Sequence, residues 1–263
     1  MMTSLPHKSQ VALAGILSVT LAASPPPSAS DADTGAAKPQ IVLVHGAFAD
    51  GSSWQHLMPI LEHDGYDVVA VQNPMTSFEE DVATTKRVIA GQPGRVIVVG
   101  HSYGGAVMTA AAAGNPNVKA LVYISAFAPD AGEPIGAFLN DYPTPLATAL
   151  RPDAAGLLYI DGARFHDVFC KDVSAEEADV MAVTQKPLAG STFGATLRAP
   201  AWKTIPSWYI VATQDQAISP DLERFYAKRM RARTIEIVAS HVSFISHAKA
   251  VAKVIEAAAG GSQ

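Results

Sequence analysis

Three side chains in this sequence have the types that acyl transfer requires, each in a loop after an apolar run: Ser102, Asp215 and His241. A serine hydroxyl is a poor nucleophile near neutral pH. It attacks a carbonyl when a histidine within hydrogen-bond reach takes its proton, and that histidine needs an acid to fix its tautomer and orientation. Ser102 lies in Gly100-His-Ser-Tyr-Gly104, after the β-branched run Val96 to Val99 and before the small-residue stretch Gly105 to Ala113. Gly-x-Ser-x-Gly between a strand and a helix is the pattern of a nucleophile elbow, a turn so tight that its flanking positions admit no side chain. Asp215 follows the run Ser207 to Ala212 in the compact loop Thr-Gln-Asp-Gln-Ala-Ile-Ser-Pro, and His241 follows Arg233 to Val238.

Other residues compete for these roles. His247 lies six positions beyond His241 but falls in the helical periodicity of Val242 to Val254, so His241 is preferred as the base. His101 sits inside the elbow and cannot turn back to Ser102, and His45 is read as structural, fixing the loop after the first strand. Asp130, after the run Lys119 to Ile124, is the alternative acid, whereas Asp50 and Asp64 read as turn residues. A tetrahedral intermediate also needs two donors for its oxyanion. The backbone N–H of Tyr103, at the start of a helix, is one. The other should come from His45-Gly-Ala-Phe48, with Ala47 N–H preferred and Phe48 the alternative.

These residues are useful only if strands end where they stand. Apolar runs at 40–44, 66–71, 96–99, 119–124, 207–212 and 233–238 read as six strands, with helical patterns between them. Ser52 or Ser53 would cap a helix to about His63 that turns His56 and His63 to solvent. Ser77 with Glu80 makes a capping box for a helix to about Ala90. A further helix runs from Asp221 to Met230, and the closing one ends near Ala258. Strand–helix alternation of this kind predicts a mainly parallel sheet with helices on both faces, and ligands at its carboxyl edge.

From Phe127 to Thr204 the alternation stops. Prolines at 129, 134, 143, 145 and 152 interrupt it, while apolar and aromatic residues recur. One helix is signalled by Ser174 and Glu177, with Val180, Met181 and Val183 on its apolar face. A segment of this length and composition reads as an inserted, mostly helical cap. Phe138, Leu139, Tyr159 and Met181 from the cap, with Phe48, Phe127 and Val242 beside the reacting groups, are the candidate pocket lining. The expected organisation is thus a core over 39–126 and 205–263, a cap over 127–204, and a separate N-terminal stretch over 1–38.

In that N-terminal stretch Lys8 precedes a short apolar run, Val11 to Ala23, then prolines and a Ser/Ala/Asp/Gly spacer. This is the layout of a secretory signal, too short to span a bilayer comfortably, and it predicts export to the periplasm or medium. Of the 263 residues 49% are apolar and 16% charged, enough for one large domain core. A net charge of −5 argues against a nucleic-acid partner. Cys170 is the single cysteine, so no internal disulfide and no zinc-type cysteine cluster can form. No His-Glu-x-x-His and no strand-following G-x-G-x-x-G occurs, so neither a metal nor a dinucleotide cofactor is expected.

Four stretches carry a family resemblance: Ile41 to Trp54, Val98 to Gly105, Pro206 to Asp215 and Ser240 to Ala252. Together they resemble bacterial α/β-hydrolases related to the plant salicylate-binding methylesterases and hydroxynitrile lyases. The likeness covers about residues 40–258. It implies an α/β-hydrolase fold with a six-stranded core and a cap after the fourth strand. It also implies a triad of Ser102, Asp215 and His241, with oxyanion donors at Ala47 and Tyr103. Cyanide-eliminating members carry lysine directly after the catalytic histidine; here that residue is Val242, which favours ester hydrolysis. The elbow also lacks the aspartate nucleophile of epoxide hydrolases and haloalkane dehalogenases.

The expectation is therefore a serine esterase acting on a small or medium hydrophobic ester without a cofactor. A lactonase, amidase or perhydrolase would use the same triad, and a ligand-binding protein could keep the same shell without turnover. Monomer and homodimer are equally compatible with the sequence.

Overall fold

The computed structural model describes residues 37–261, so the expected signal and spacer over 1–38 lie almost wholly outside the described residues. In chain order β1 (Gln40–Val44) leads through a 3-10 turn at Gly51–Trp54 into α1 (Met58–His63), then β2 (Val68–Ala70), α2 (Phe78–Ala90), β3 (Val96–His101), α3 (Tyr103–Ala111) and β4 (Val118–Ile124). The insertion follows, with α4 (Pro145–Ala149), β5 (Leu150–Pro152), β6 (Leu157–Ile160), α5 (Gly162–Phe169), α6 (Ala175–Thr184) and β7 (Leu188–Ala189). The core resumes with β8 (Ser207–Ala212), α7 (Pro220–Met230), β9 (Arg233–Ile237), α8 (Ser243–Ser246) and α9 (Ala248–Ala259).

The main sheet has six strands in the order β2-β1-β3-β4-β8-β9, every neighbouring pair parallel. β1, β3 and β8 are buried along almost their whole length, which is why they read as unbroken apolar runs rather than alternating ones. The edge strand β9 is exposed except at Ile237, and its Arg233, Thr234 and Glu236 protect that edge. Right-handed crossovers put α1, which leads from β1 outward to β2, on the opposite face from α2 and α3, which lead back across the sheet. Accordingly α2 packs on α3, and α1 packs on α9. The order reverses between β1 and β3, so their two carboxyl-end loops flank one crevice, the place where such sheets hold ligands.

The architecture is the α/β-hydrolase fold with its inserted cap. Three local details differ from the sequence reading. The stretch after β1 is not one helix: Asp50, not Ser52 or Ser53, caps the 3-10 turn by accepting from Ser52 N–H, and a separate α1 starts at Met58 before Pro59. The cap holds three helices and also a three-stranded antiparallel sheet, β5-β6-β7, which pairs Leu158 with Leu188. Ser77 and Ser174 cap α2 and α6 through the N–H groups of Glu80 and Glu177. The apolar face assigned to α6 splits: Val180 is 55% and Val183 85% exposed, while Met181 packs partly buried against the core and Ala178 is fully buried. Among the described residues no helix is long and apolar enough to cross a membrane.

Candidate active site

The elbow forms because β3 ends where no side chain fits. A Cβ on Gly100 would stand 2.7 Å from Met108 Sδ, and one on Gly104 would strike the Val44 and His45 carbonyls. Ser102 between them has φ 53° and ψ −125°, a conformation rare for a non-glycine residue and held here by its surroundings. Its N–H donates to the Ile124 carbonyl at 3.1 Å, and its own carbonyl accepts from Gly105 and Phe127 N–H. Backbone bonds to β4 and to the loop beyond it thus brace the turn, and the serine side chain faces the crevice at the head of α3.

Asp215 and His241 meet from two separate loops. Asp215 Oδ1 accepts from the N–H groups of Ala217 (2.6 Å) and Ile218 (2.9 Å), so the loop after β8 wraps its own carboxylate. Asp215 Oδ2 accepts from His241 Nδ1 at 2.5 Å. The pair is sealed from solvent, with side-chain exposures of 0% and 1%. A proton on Nδ1 leaves Nε2 as the basic nitrogen, and among the described residues Nε2 has no hydrogen-bond partner. Ser102 and His241 line the same cavity, with no hydrogen bond joining them in this structure.

The histidines that competed for the base have other work. His101 lies under His241 with ring centroids 4.5 Å apart, and donates through Nε2 to the His241 carbonyl at 3.0 Å. Burial, and then the His241 ring beside it, hold its pKa well below the usual histidine range, so it is a neutral strut. His45 donates through Nδ1 to the Gly46 carbonyl (2.9 Å) and accepts Asn73 N–H on Nε2 (3.1 Å). Burial draws its pKa down to about 4, which keeps this neutral tautomer. Because C=O and N–H point opposite ways in a trans peptide, holding the Gly46 carbonyl sets the direction of Ala47 N–H. His247 bridges α8 and α9, outside the cavity, and Asp130 pairs at the surface with Lys203 at 2.5 Å.

The cavity encloses about 240 Å³. Ala47, Phe48, Ser102, Tyr103 and His241 line its floor, and Phe127, Leu139, Leu146, Leu150, Leu158, Phe169, Phe193 and Ile218 form most of the remaining wall. Its hydroxyls apart from Ser102 are already committed: Tyr103 Oη donates to Asp81 Oδ2 at 2.8 Å, and Thr144 Oγ1 to the Ala217 carbonyl at 3.1 Å. The interior is therefore apolar apart from Ser102, His241 and whatever backbone N–H groups face it.

Of the candidate pocket residues, Phe48, Phe127 and Leu139 line this cavity and four do not. Phe138 turns away to stack on Phe225 and Tyr226 of α7. Tyr159 is next to the lining residue Leu158, and strand alternation sends it to the other face of the cap sheet. Met181 lines a separate, mixed groove with Asp50, Ser53, Glu177 and Ile245, which Phe48 also borders. Val242 is buried outside the lining at the start of α8, so its apolar side chain does not furnish a wall beside the reacting groups. Sequence reading did not single out Phe169, Phe193 and Ile218 as lining residues or Glu223 and Asp172 as supports; the two phenylalanines stood only among the recurring aromatics of the insertion.

Comparison with known proteins gives a family and a set of relatives. The model of the alpha/beta hydrolase family matches residues 41–254. A probable hydrolase, R7, from Phoma sp. is 28% identical over 201 residues, covering 70% of this chain and 80% of that one. Polyneuridine aldehyde esterase of Rauvolfia serpentina is 24% identical over 245 residues, covering 81% and 92%. Its crystal structure superposes with a TM-score of 0.73 at 18% identity, over 83% of this chain and 98% of that one. A pyrethroid hydrolase from Sphingobium faniae JZ-2 gives a TM-score of 0.72 at 24% identity, over 85% and 98%. At these identities the superpositions show a shared fold.

Proposed function

The chain belongs to the alpha/beta hydrolase family and has hydrolase-type catalytic function, and from that premise we propose that it is a serine esterase whose triad is Ser102, Asp215 and His241. The observation that carries the reading is the sealed Asp215–His241 pair, whose second ring nitrogen is unpartnered on the wall that Ser102 shares. His241 Nε2 takes the Ser102 proton as Oγ adds to the ester carbonyl. Apo geometry is commonly looser than in the reacting complex, so this bond closes when substrate seats. The oxyanion is held by the N–H groups of Ala47 and Tyr103, the latter reinforced by the N-terminus of α3. Collapse breaks the acyl–oxygen bond, and His241 returns the proton to the departing alcohol. Water, deprotonated by His241, then releases the acid and regenerates Ser102.

The cavity suits an acyl group without polar atoms. A buried hydroxyl or charge on the acyl half would find no free partner there, and leaving such a group unpaired costs about 1–3 kcal/mol or more. A small or medium hydrophobic ester is the proposed substrate. Similar proteins named as an esterase and as hydrolases support the reaction class. Export belongs to the same proposal, and rests on the signal-like run from Val11 to Ala23.

Intact-mass analysis after treatment with a fluorophosphonate tests the reading. One adduct, mapped to Ser102 and missing in Ser102→Ala, is expected. Equal hydrolysis of short p-nitrophenyl esters by wild type and Ser102→Ala would overturn it, and tight binding of an apolar ligand without any adduct would favour a binding protein on a hydrolase shell.

A further inference from the structure

The cap reaches the loop that carries His241 through one carboxylate. Asp172 lies just beyond α5 in the insertion, 68 residues before Ser240 in the chain. Its Oδ2 accepts from Ser240 N–H at 3.0 Å and from Ser246 Oγ at 2.8 Å, and its Oδ1 accepts a short bond from Ser240 Oγ. His247 Nδ1 stands 3.8 Å from the same carboxylate. Three donors from 240 and 246 thus converge on Asp172, on both sides of His241. Its side chain is 22% exposed. Burial alone would raise its pKa, but the bonds from Ser240 and Ser246 outweigh this and hold it below the usual carboxylate range. The acceptor is therefore charged, and charged acceptors make the stronger bonds.

The backbone around His241 is accordingly held from two directions. The core supplies His101, which donates to the His241 carbonyl. The cap supplies Asp172, which holds the residue before His241 and the far end of the loop. The same cap stretch brings Phe169 to within 5.0 Å of the His241 ring, centroid to centroid.

We infer that Asp172 is a positioning residue that couples the seating of the cap to the orientation of the catalytic histidine. This rests on the reading of His241 as the base. With the cap seated, the loop from Ser240 to Ser246 is anchored and Nε2 faces the cavity. A displaced cap breaks those three bonds and leaves His241 held by His101 and Asp215 alone. A residue that only ties two loops together would contribute stability and leave turnover unaltered; a positioning residue changes the chemical step.

The experiment compares full-length wild type, Asp172→Ala and Asp172→Asn. It measures the rate of Ser102 labelling by a fluorophosphonate, kcat and KM on a short apolar p-nitrophenyl ester, and the melting temperature. Asp172→Ala is expected to lower kcat and the labelling rate about ten- to a hundredfold, as a displacement of the base near 1 Å does. KM should stay within about twofold, because the cavity wall is kept. Asp172→Asn keeps an oxygen for Ser240 but loses an acceptor, and falls between. If Asp172→Ala does not fold, the double variant Ser240→Ala/Ser246→Ala removes the two hydroxyl bonds, leaves Asp172 in place and should move the same rates in the same direction. Wild-type kcat and labelling rate in these variants, with only the melting temperature lowered, overturn the inference. Failure of wild type to label at Ser102 overturns the esterase reading itself, a different result.

Discussion

Glu223 lies against Asp215, two buried carboxyls side by side. Glu223 is completely buried, its Oε2 accepts from Ala212 N–H at 3.0 Å, and it hydrogen-bonds to the Asp215 carboxylate. No donor among the described residues reaches Oε1, so a proton there satisfies an oxygen that would otherwise be stranded. Burial first, then the charge of Asp215, lift its pKa well above the usual carboxyl range. Two carboxyls placed together part in this way, one keeping its proton and the other its charge.

Glu223→Gln should therefore stabilise the protein progressively as pH rises. In the unfolded chain Glu223 ionises above its ordinary pKa, whereas in the folded protein it must stay protonated. Its neutral form costs nothing below that ordinary value, and wild type loses about 1.4 kcal/mol per pH unit above it until the raised pKa is reached. Glutamine has no proton to lose and can still donate an N–H to Asp215. Urea unfolding of both proteins at pH 5, 7 and 9 checks this; parallel stability curves would refute it.

Asp215→Asn should keep the fold and reduce kcat about 10⁴-fold, the size of effect seen for the same exchange in a serine protease triad. Asp215 accepts on both oxygens, from Ala217, Ile218 and His241. An amide nitrogen facing His241 forces the ring proton from Nδ1 to Nε2, and removes the base. Steady-state turnover with circular dichroism on the same samples separates this from unfolding.

His45→Phe should lower kcat with little change in KM. The ring would no longer hold the Gly46 carbonyl or accept Asn73 N–H, so the peptide that aims Ala47 N–H is freed to rotate. Loss of one oxyanion donor costs about 10²–10³ in kcat elsewhere, and partial misdirection should approach the lower figure. A variant that melts earlier but turns over normally would leave His45 a purely structural residue.

Leu158→Trp should shorten the acyl group that the cavity accepts. Leu158 projects from β6 into a mainly apolar space of about 240 Å³. The ratio of kcat/KM for octanoyl over acetyl p-nitrophenyl esters is expected to fall about tenfold or more, equivalent to some 1.4 kcal/mol of transition-state binding. An unchanged ratio would place the acyl chain elsewhere.

The sequence revealed these features unevenly, for physical reasons. Buried parallel strands must be continuous apolar runs, so β1, β3, β4 and β8 stood out, and with them the loops that hold Ala47, Ser102 and Asp215. The choice of His241 over His247 also followed from strand and helix periods alone. The cap was different. β5 contains Pro152, β7 has only Leu188 and Ala189, and their pairing through β6 joins residues far apart in the chain. No local pattern encodes that. Phe138 and Tyr159 have the same composition signal as Phe169 and Phe193, and only tertiary packing decides which of them face the cavity. Asp172 and Glu223 carried no local signal, because their partners come from other elements.

The insertion leaves the sheet at the end of β4 and returns at the start of β8, and these strands are hydrogen-bonded neighbours. Because they run parallel, the chain leaves at the carboxyl edge of one strand and re-enters at the amino edge of its neighbour, so the insertion doubles as the crossover between them. A graft from a homologue could replace the substrate-binding roof while every pairing of the six strands survives. The junctions alone would not make such a chimera active. The transplanted roof would also have to bring an acceptor to the place of Asp172, beside counterparts of the other links to the core, such as Glu133 to Arg229 and Glu177 to His56.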